Sequence, residues 1–237
     1  MTTQPGQCLP ETAVRVSPQE GYRLWAGGYD GAINPLLALE KRVLSTRLGN
    51  LAGKVFLDAG CGTGRWAAEA AARGARVVGV DCCDEMLKVA AGKDGLTGRL
   101  VLADNRRLPL RSGCIDFAIC SFSLSYLQDP WQAVEELDRA TKPGASIVLS
   151  DFHPLAHEAG WKRSFRHGAQ VLEIMSYEHS RDLLIALGSR AGWSLEESLE
   201  ARLGRAEHDL MRQAGREAAF EELSLVPAIL ILLWNRR

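Results

Sequence analysis

The stretch from Val55 to Ala67, VFLDAGCGTGRWA, decides the fold. Its opening residues form an apolar run that ends in an acid, Asp58, and read as a buried strand. Three glycines at alternate positions follow, Gly60, Gly62 and Gly64, and then an alanine-rich helical stretch. A strand that turns on glycines into a helix lets backbone N–H groups and a helix N-terminus approach a ligand closely. Dinucleotide folds use G-x-G-x-x-G here, with pyrophosphate on the helix dipole. This chain has G-x-G-x-G, with Arg65 where the third fingerprint glycine would stand. Asp58, just before the turn, would repel pyrophosphate but suits a ligand with a positive end. Neither NAD nor FAD is expected to bind.

Working outward, the rhythm is strand, turn, helix, repeated. KVFLDAG is strand one and GRWAAEAAARG its helix; ARVVGVD is strand two, followed by CDEMLKVAAGK. GRLVLAD is strand three, and CIDFAICSF is strand four with the helix DPWQAVEELDRATKPG. ASIVLSDF is strand five. Such alternation predicts an α/β fold, a doubly wound, mostly parallel sheet covered on both faces. Beyond it, a polar and aromatic insertion spans residues 153–180 and has no clear period. RDLLIALGSRAG reads as a helix, WSLEESLEARL as a strand, AEHDLMRQAGREAAFEE as a helix and VPAILILLWNR as a terminal strand. The division expected is a tail and helical cap over residues 1–50 and the sheet domain over 51–237. Within the cap, residues 1 to about 16 read as a frayed tail. Ser17 and Pro18 start a short helix, Gly27-Gly28 breaks it, and a longer amphipathic helix runs to about Leu48.

At 237 residues the chain is long enough for one such domain with a sizeable core. Its formal charge of −1 and scattered basic residues point away from nucleic acid and anionic membranes. The six cysteines form no C-x-x-C pair and fit neither a zinc nor a disulfide framework. The first residues lack a signal-peptide pattern, and LVPAILILLW is too short to span a bilayer. The reading is a cytoplasmic, reduced protein with no metal site.

FLDAGCGTG resembles the first motif of class I S-adenosylmethionine-dependent methyltransferases. Three more segments match in order: VVGVDCCDEML, LVLADNRRLPLRSGCIDFAICSFSLSYLQDP, and LDRATKPGASIVLSDF. Together they cover about Lys54 to Phe152 and are most similar to the small-molecule group of ubiquinone and menaquinone biosynthesis. The resemblance implies a Rossmann-like, seven-stranded sheet with an antiparallel last strand. It implies S-adenosyl-L-methionine as cofactor, with S-adenosyl-L-homocysteine as product.

It also implies roles. Asp81 would accept from both ribose hydroxyls, and Asp104 from the adenine amine, with the Asn105 N–H on the ring. Met86 and Leu108 would sandwich the adenine. Asp58 would orient the methionyl ammonium, and Gly60, Gly62 and Gly64 would leave room for the ligand. Cys61, Cys82 and Ser121 would line the cofactor site, and Tyr29, in GGYDGAINP, would close over it. The adjacent Cys82-Cys83 also invites an arsenic reading, but no cysteine follows Cys120 to complete one.

Methyl transfer is an in-line displacement, and a base is needed only when the nucleophile carries a proton of high pKa. His153, His179 and Tyr126 are the candidates for the catalytic side. The acceptor expected is a small molecule, with no nucleic acid and no membrane span; oligomeric state stays open, a homodimer included. A protein or RNA acceptor, or a cofactor-binding module without transfer, are the competing readings.

Overall fold

The computed structural model describes residues 13–215 and 217–237. Cys8 and most of the expected tail lie outside the described residues. The central sheet holds β2 (Val55–Ala59), β3 (Arg76–Asp81), β4 (Leu100–Leu102), β5 (Ile115–Ser121), β6 (Thr141–Phe152), β9 (Trp193–Ala201) and β10 (Ile229–Arg236). Its order is β4-β3-β2-β5-β6-β10-β9. The first five are parallel, and β10 runs antiparallel between β6 and β9. The expected seven strands, with the terminal strand antiparallel, are therefore present.

Alternate residues of the inner strands feed two separate cores, as a period of two requires. Phe56, Phe117, Ile119, Val148 and Ile231 join one, with α2 (Pro35–Leu44), α3 (Arg65–Ala72) and α8 (Arg205–Gln213). Leu57, Ala118, Cys120, Leu149 and Leu232 join the other, with α5 (Trp131–Ala140) and α7 (Arg181–Arg190). Burial on both faces is why these strands read as continuous apolar runs rather than alternating ones. The remaining helices are α4 (Asp84–Ala91), after β3, and the short α6 (Pro154–Glu158) and α9 (Phe220–Ser224).

Three local expectations need correction. Gly27 and Gly28 do not break a helix; they lie inside α1 (Pro18–Tyr29), which starts on the Ser17 cap. The break falls at residues 30–34, where Asn34 Oδ1 accepts from the N–H groups of Leu36 and Leu37 and opens α2. α2 ends at Leu44 rather than near Leu48. The helix expected after β9 is interrupted at Gly215, whose φ of 69° is left-handed.

The third concerns the tail and the insertion. Val14–Val16 is a strand, β1, paired in parallel with β8 (Gln170–Ile174). β8 in turn forms an antiparallel hairpin with β7 (Ser164–His167). This three-stranded sheet packs on α1 through Trp25, whose ring stacks on Phe165 at 4.7 Å between centroids. No period revealed it because each strand is short and its partners are distant in sequence. Among the described residues no helix is long and apolar enough to cross a membrane.

Candidate functional site

The sheet reverses its strand order at β2, with β3 on one side and β5 on the other. Carboxyl ends of parallel strands at such a point leave a crevice. Two adjoining cavities lie there. One, of about 80 Å³, is lined by Asp58, Gly62, Arg65, Ser121 and the rings of Tyr29 and Phe122, among others. The other, of about 350 Å³, is lined by Asp81, Cys82, Asp104, Asn105 and Arg106, among others. Tyr22, Gly60, Ser123 and Tyr126 belong to both and form the boundary.

The glycines do three different jobs. A side chain on Gly62, at φ 53°, would meet open space, so this is where the turn stays clear for a ligand. On Gly60 it would strike the Ser123 side chain. On Gly64 it would come within 2.6 Å of Leu96 and 3.1 Å of the Ala90 Cβ. Gly64 thus serves close packing next to α4 and lines neither cavity.

Asp58 is 1% exposed and accepts from the Ala67 N–H at 2.9 Å, supplying the side-chain cap that Gly64 cannot give α3. Burial pushes its carboxyl up to about 7, against the pull of that hydrogen bond and of Arg65. Asp81 ties two elements together: Oδ2 accepts from the Gly62 N–H at 2.7 Å and Oδ1 from the Cys83 N–H at 2.8 Å. Each oxygen keeps a second lone pair, and burial raises its pKa too. Asp104 is paired with Arg106 and is held below its usual range chiefly by that bond. Asn105 donates to Ser123 Oγ at 3.1 Å.

Cys61 lines the smaller cavity and packs toward Gly79, while Cys82 lines the larger one. Burial raises both thiols, Cys82 to about 11, so neither is a thiolate at neutral pH. Met86 lines the smaller cavity. Leu108 lines neither cavity; it is a core residue of the α5 and α7 face.

Two expected bases stand elsewhere. His153 caps α6, its Nδ1 accepting from the Leu155 N–H at 3.2 Å, and its Nε2 lies 3.7 Å from Glu200. His179 Nε2 lies 2.9 Å from the Leu127 carbonyl and 3.3 Å from that of Leu124, a tie between the insertion and the loop after β5. Neither lines a cavity. Following strand five in sequence did not put His153 on either cavity: its N–H donates to the Ala228 carbonyl, and its ring lies against Glu200 of β9, the edge strand. Tyr126 does line both cavities, its hydroxyl 2.6 Å from that of Tyr22.

Sequence reasoning missed Glu40, Arg65 and Phe122. Glu40 is fully buried and accepts from Ser121 Oγ at 2.8 Å, Trp66 Nε1 at 3.1 Å, Arg65 Nη2 and Ser150 Oγ. Its signal was available: an acid on the same helical face as Leu36, Leu39 and Leu44 demands polar partners. The Nη1 of Arg65, a residue on the smaller cavity, has no partner among the described residues. Phe122 holds φ at 49°, a left-handed value that a bulky residue adopts only under constraint, and no sequence signal marks it.

Residues 57–149 match the family described as a methyltransferase domain. Over 116 residues the chain is 38% identical to a demethylmenaquinone methyltransferase from Clavibacter sepedonicus, covering 47% of this chain and 46% of that one. Over 128 residues it is 34% identical to a malonyl-[acyl-carrier protein] O-methyltransferase from Serratia marcescens, covering 53% and 48%. The chain spans about half the length of these curated relatives. An S-adenosylmethionine dependent methyltransferase from Mesorhizobium loti superimposes with a TM-score of 0.65 at 25% identity, covering 87% of this chain and 99% of that one.

Proposed function

We propose that this chain, whose residues 57–149 match a methyltransferase-domain family, moves the methyl group of S-adenosylmethionine to a small organic acceptor. The observation that carries this reading is the Gly62 turn. It is an open backbone position on the smaller cavity, flanked by the buried Asp58 and the half-buried Asp81, which lines the larger cavity and accepts from the Gly62 N–H. Asp81 and Asp104 take the adenosine in the larger cavity, where Asn105 and Cys82 also stand. Asp58 faces the ammonium in the smaller one, and the spare Arg65 Nη1 faces the carboxylate of the same amino acid. A ligand with a cation and an anion on one carbon suits that pair of side chains. The sulfonium then falls near the shared boundary, beside Tyr22, Tyr126 and Ser123. The β7–β8 insertion and α1 form the roof over the acceptor.

The transfer itself needs position and dryness more than chemistry, since the leaving group is a neutral thioether. Isothermal titration with S-adenosylhomocysteine tests the cofactor. Mass-spectrometric detection of a 14-dalton gain across a metabolite panel tests the transfer and names the acceptor. Absence of S-adenosylhomocysteine binding would end this reading.

A further inference from the structure

Arg163 begins the insertion's path into β7 and is 3% exposed. Its guanidinium lies over the Phe122 ring at 5.1 Å and the Phe152 ring at 4.9 Å. Among the described residues its Nε has no hydrogen-bond partner. Asp151, the carboxylate whose charge reaches it, spends its oxygens on the Ser125 N–H and hydroxyl and on the Phe152 N–H. A cation held in the interior without its own counter-ion is costly, and a ligand anion would supply what is missing.

The Phe122 ring under this guanidinium lines the smaller cavity together with Tyr22 and Tyr126. The hydroxyls of those two tyrosines meet at 2.6 Å on the boundary of the two cavities. One hydroxyl must donate to the other, which leaves one O–H free to donate elsewhere. Burial raises both phenols, so neither serves as a base near neutral pH. His153 and His179 stand away from the cavities, and Asp58 is bonded into α3 on the cofactor side. The wall therefore offers positive charge and a hydrogen-bond donor but takes no proton.

We propose that Tyr22, Tyr126 and Arg163 form an oxyanion-binding wall and that the methyl acceptor presents an oxyanion there, a carboxylate or an acidic enol or phenol, as its own nucleophile. This rests on the methyl-transfer reading above. The acceptor oxygen's lone pair forms the new O–CH3 bond as the S–CH3 bond breaks, and that bond's electron pair stays on sulfur. Anion and sulfonium give a neutral ester or ether and a thioether, with no proton transferred. The tyrosines contact the oxyanion; Arg163, behind them, is a positioning residue that sets the sign of the field.

The test uses the full chain saturated with S-adenosylhomocysteine and two matched probe pairs, benzoate with benzamide and octanoate with octanamide. Calorimetry is expected to find at least one acid bound about tenfold or more tighter than its amide, the scale of a charge-assisted hydrogen bond. Arg163→Met and Tyr126→Phe should each erase most of that difference, and S-adenosylhomocysteine affinity should stay within about twofold in the Arg163 variant, since Arg163 lines neither cavity; the Tyr126 variant keeps the ring should the Arg163 variant fail to fold. Alkali-labile product from a methylated acid separates an ester from an ether. Acid and amide binding alike, or neither binding, with S-adenosylhomocysteine still held, overturns this inference alone. So does a difference that survives in both variants. Failure to bind S-adenosylhomocysteine overturns the methyl-transfer reading together with it.

Discussion

Asp58 is buried against its own chemistry, and this has a thermodynamic consequence. The unfolded chain releases this proton near pH 4, whereas the folded chain holds it until about pH 7. Between those values the folded state carries more protons, so raising the pH favours unfolding, and the loss is complete above about 7. A three-unit shift corresponds to about 4 kcal/mol. Asp58→Asn keeps an oxygen for the Ala67 N–H and removes the titration. Denaturant melts of the variant should lose the decline between pH 4 and 7, and at pH 7.5 it should be the more stable protein; a decline unchanged from wild type would remove Asp58 as its source. Ammonium arriving beside Asp58 should also expel that proton. Titrations with S-adenosylhomocysteine at pH 6, in buffers of different ionisation enthalpy, should find about one proton released by wild type and almost none by the variant.

Two neighbouring residues separate folding from binding. Gly62→Val puts a branched side chain at φ 53° into the open space of the turn. It should fold, with a modest strain penalty, and lose S-adenosylhomocysteine binding; affinity at the wild-type level would mean the ligand lies elsewhere. Asp81→Ala removes two hydrogen bonds that join the turn to α4. It should lower stability by about 1–3 kcal/mol, as loss of hydrogen bonds to a carboxylate does. It should also weaken S-adenosylhomocysteine binding by about 1–3 kcal/mol. A stability loss with unchanged binding would make Asp81 only a tie between the turn and the start of α4.

At the scale of elements, α1, β1, β7 and β8 behave as one unit. Trp25 stacks on Phe165, Tyr22 joins Tyr126, and the backbone of Gly21 sits so near Ile174 that a Cβ would come within 2.6 Å of it. Asp30, just past α1, accepts from Thr63 Oγ1 at 2.7 Å and pairs with Lys93 at 2.7 Å, which clasps the unit to the glycine turn. With Gly27 and Gly28 inside a helix, a hinge between them is not available, so any closure must move the whole unit. Hydrogen exchange should therefore find α1, β7 and β8 gaining protection together when S-adenosylhomocysteine is added. Protection gained by α1 alone would contradict a single unit.

Across the whole molecule, a ligand that binds only the folded state raises stability by mass action. S-adenosylhomocysteine at a hundred times its dissociation constant should add about 2.7 kcal/mol. For a chain of this size that corresponds to a rise in melting temperature of roughly 5–10 °C. NAD at the same concentration should leave the transition where it was, since Asp58 and Arg65 occupy the positions that a pyrophosphate fingerprint would need. A shift with NAD and none with S-adenosylhomocysteine would reverse the cofactor assignment.

The sequence by itself determined the central sheet and the glycine-turn side of the crevice. Strands buried on both faces leave unbroken apolar runs, and a glycine turn between a strand and a helix has few uses, so Asp58, Gly62 and Asp81 were legible one after another in the chain. Only the tertiary structure showed the residues we propose for the acceptor half. Tyr22, Tyr126 and Arg163 come from three distant segments, and nothing local in any of them specifies the other two. It likewise withdrew His153, His179, Leu108 and Gly64 from the cavities, because a residue's place after a strand does not fix which way the neighbouring strands make it face. Glu40 lies between these cases: its helical period announced a buried acid, but only packing against Arg65, Trp66, Ser121 and Ser150 supplied the partners that make such burial tolerable.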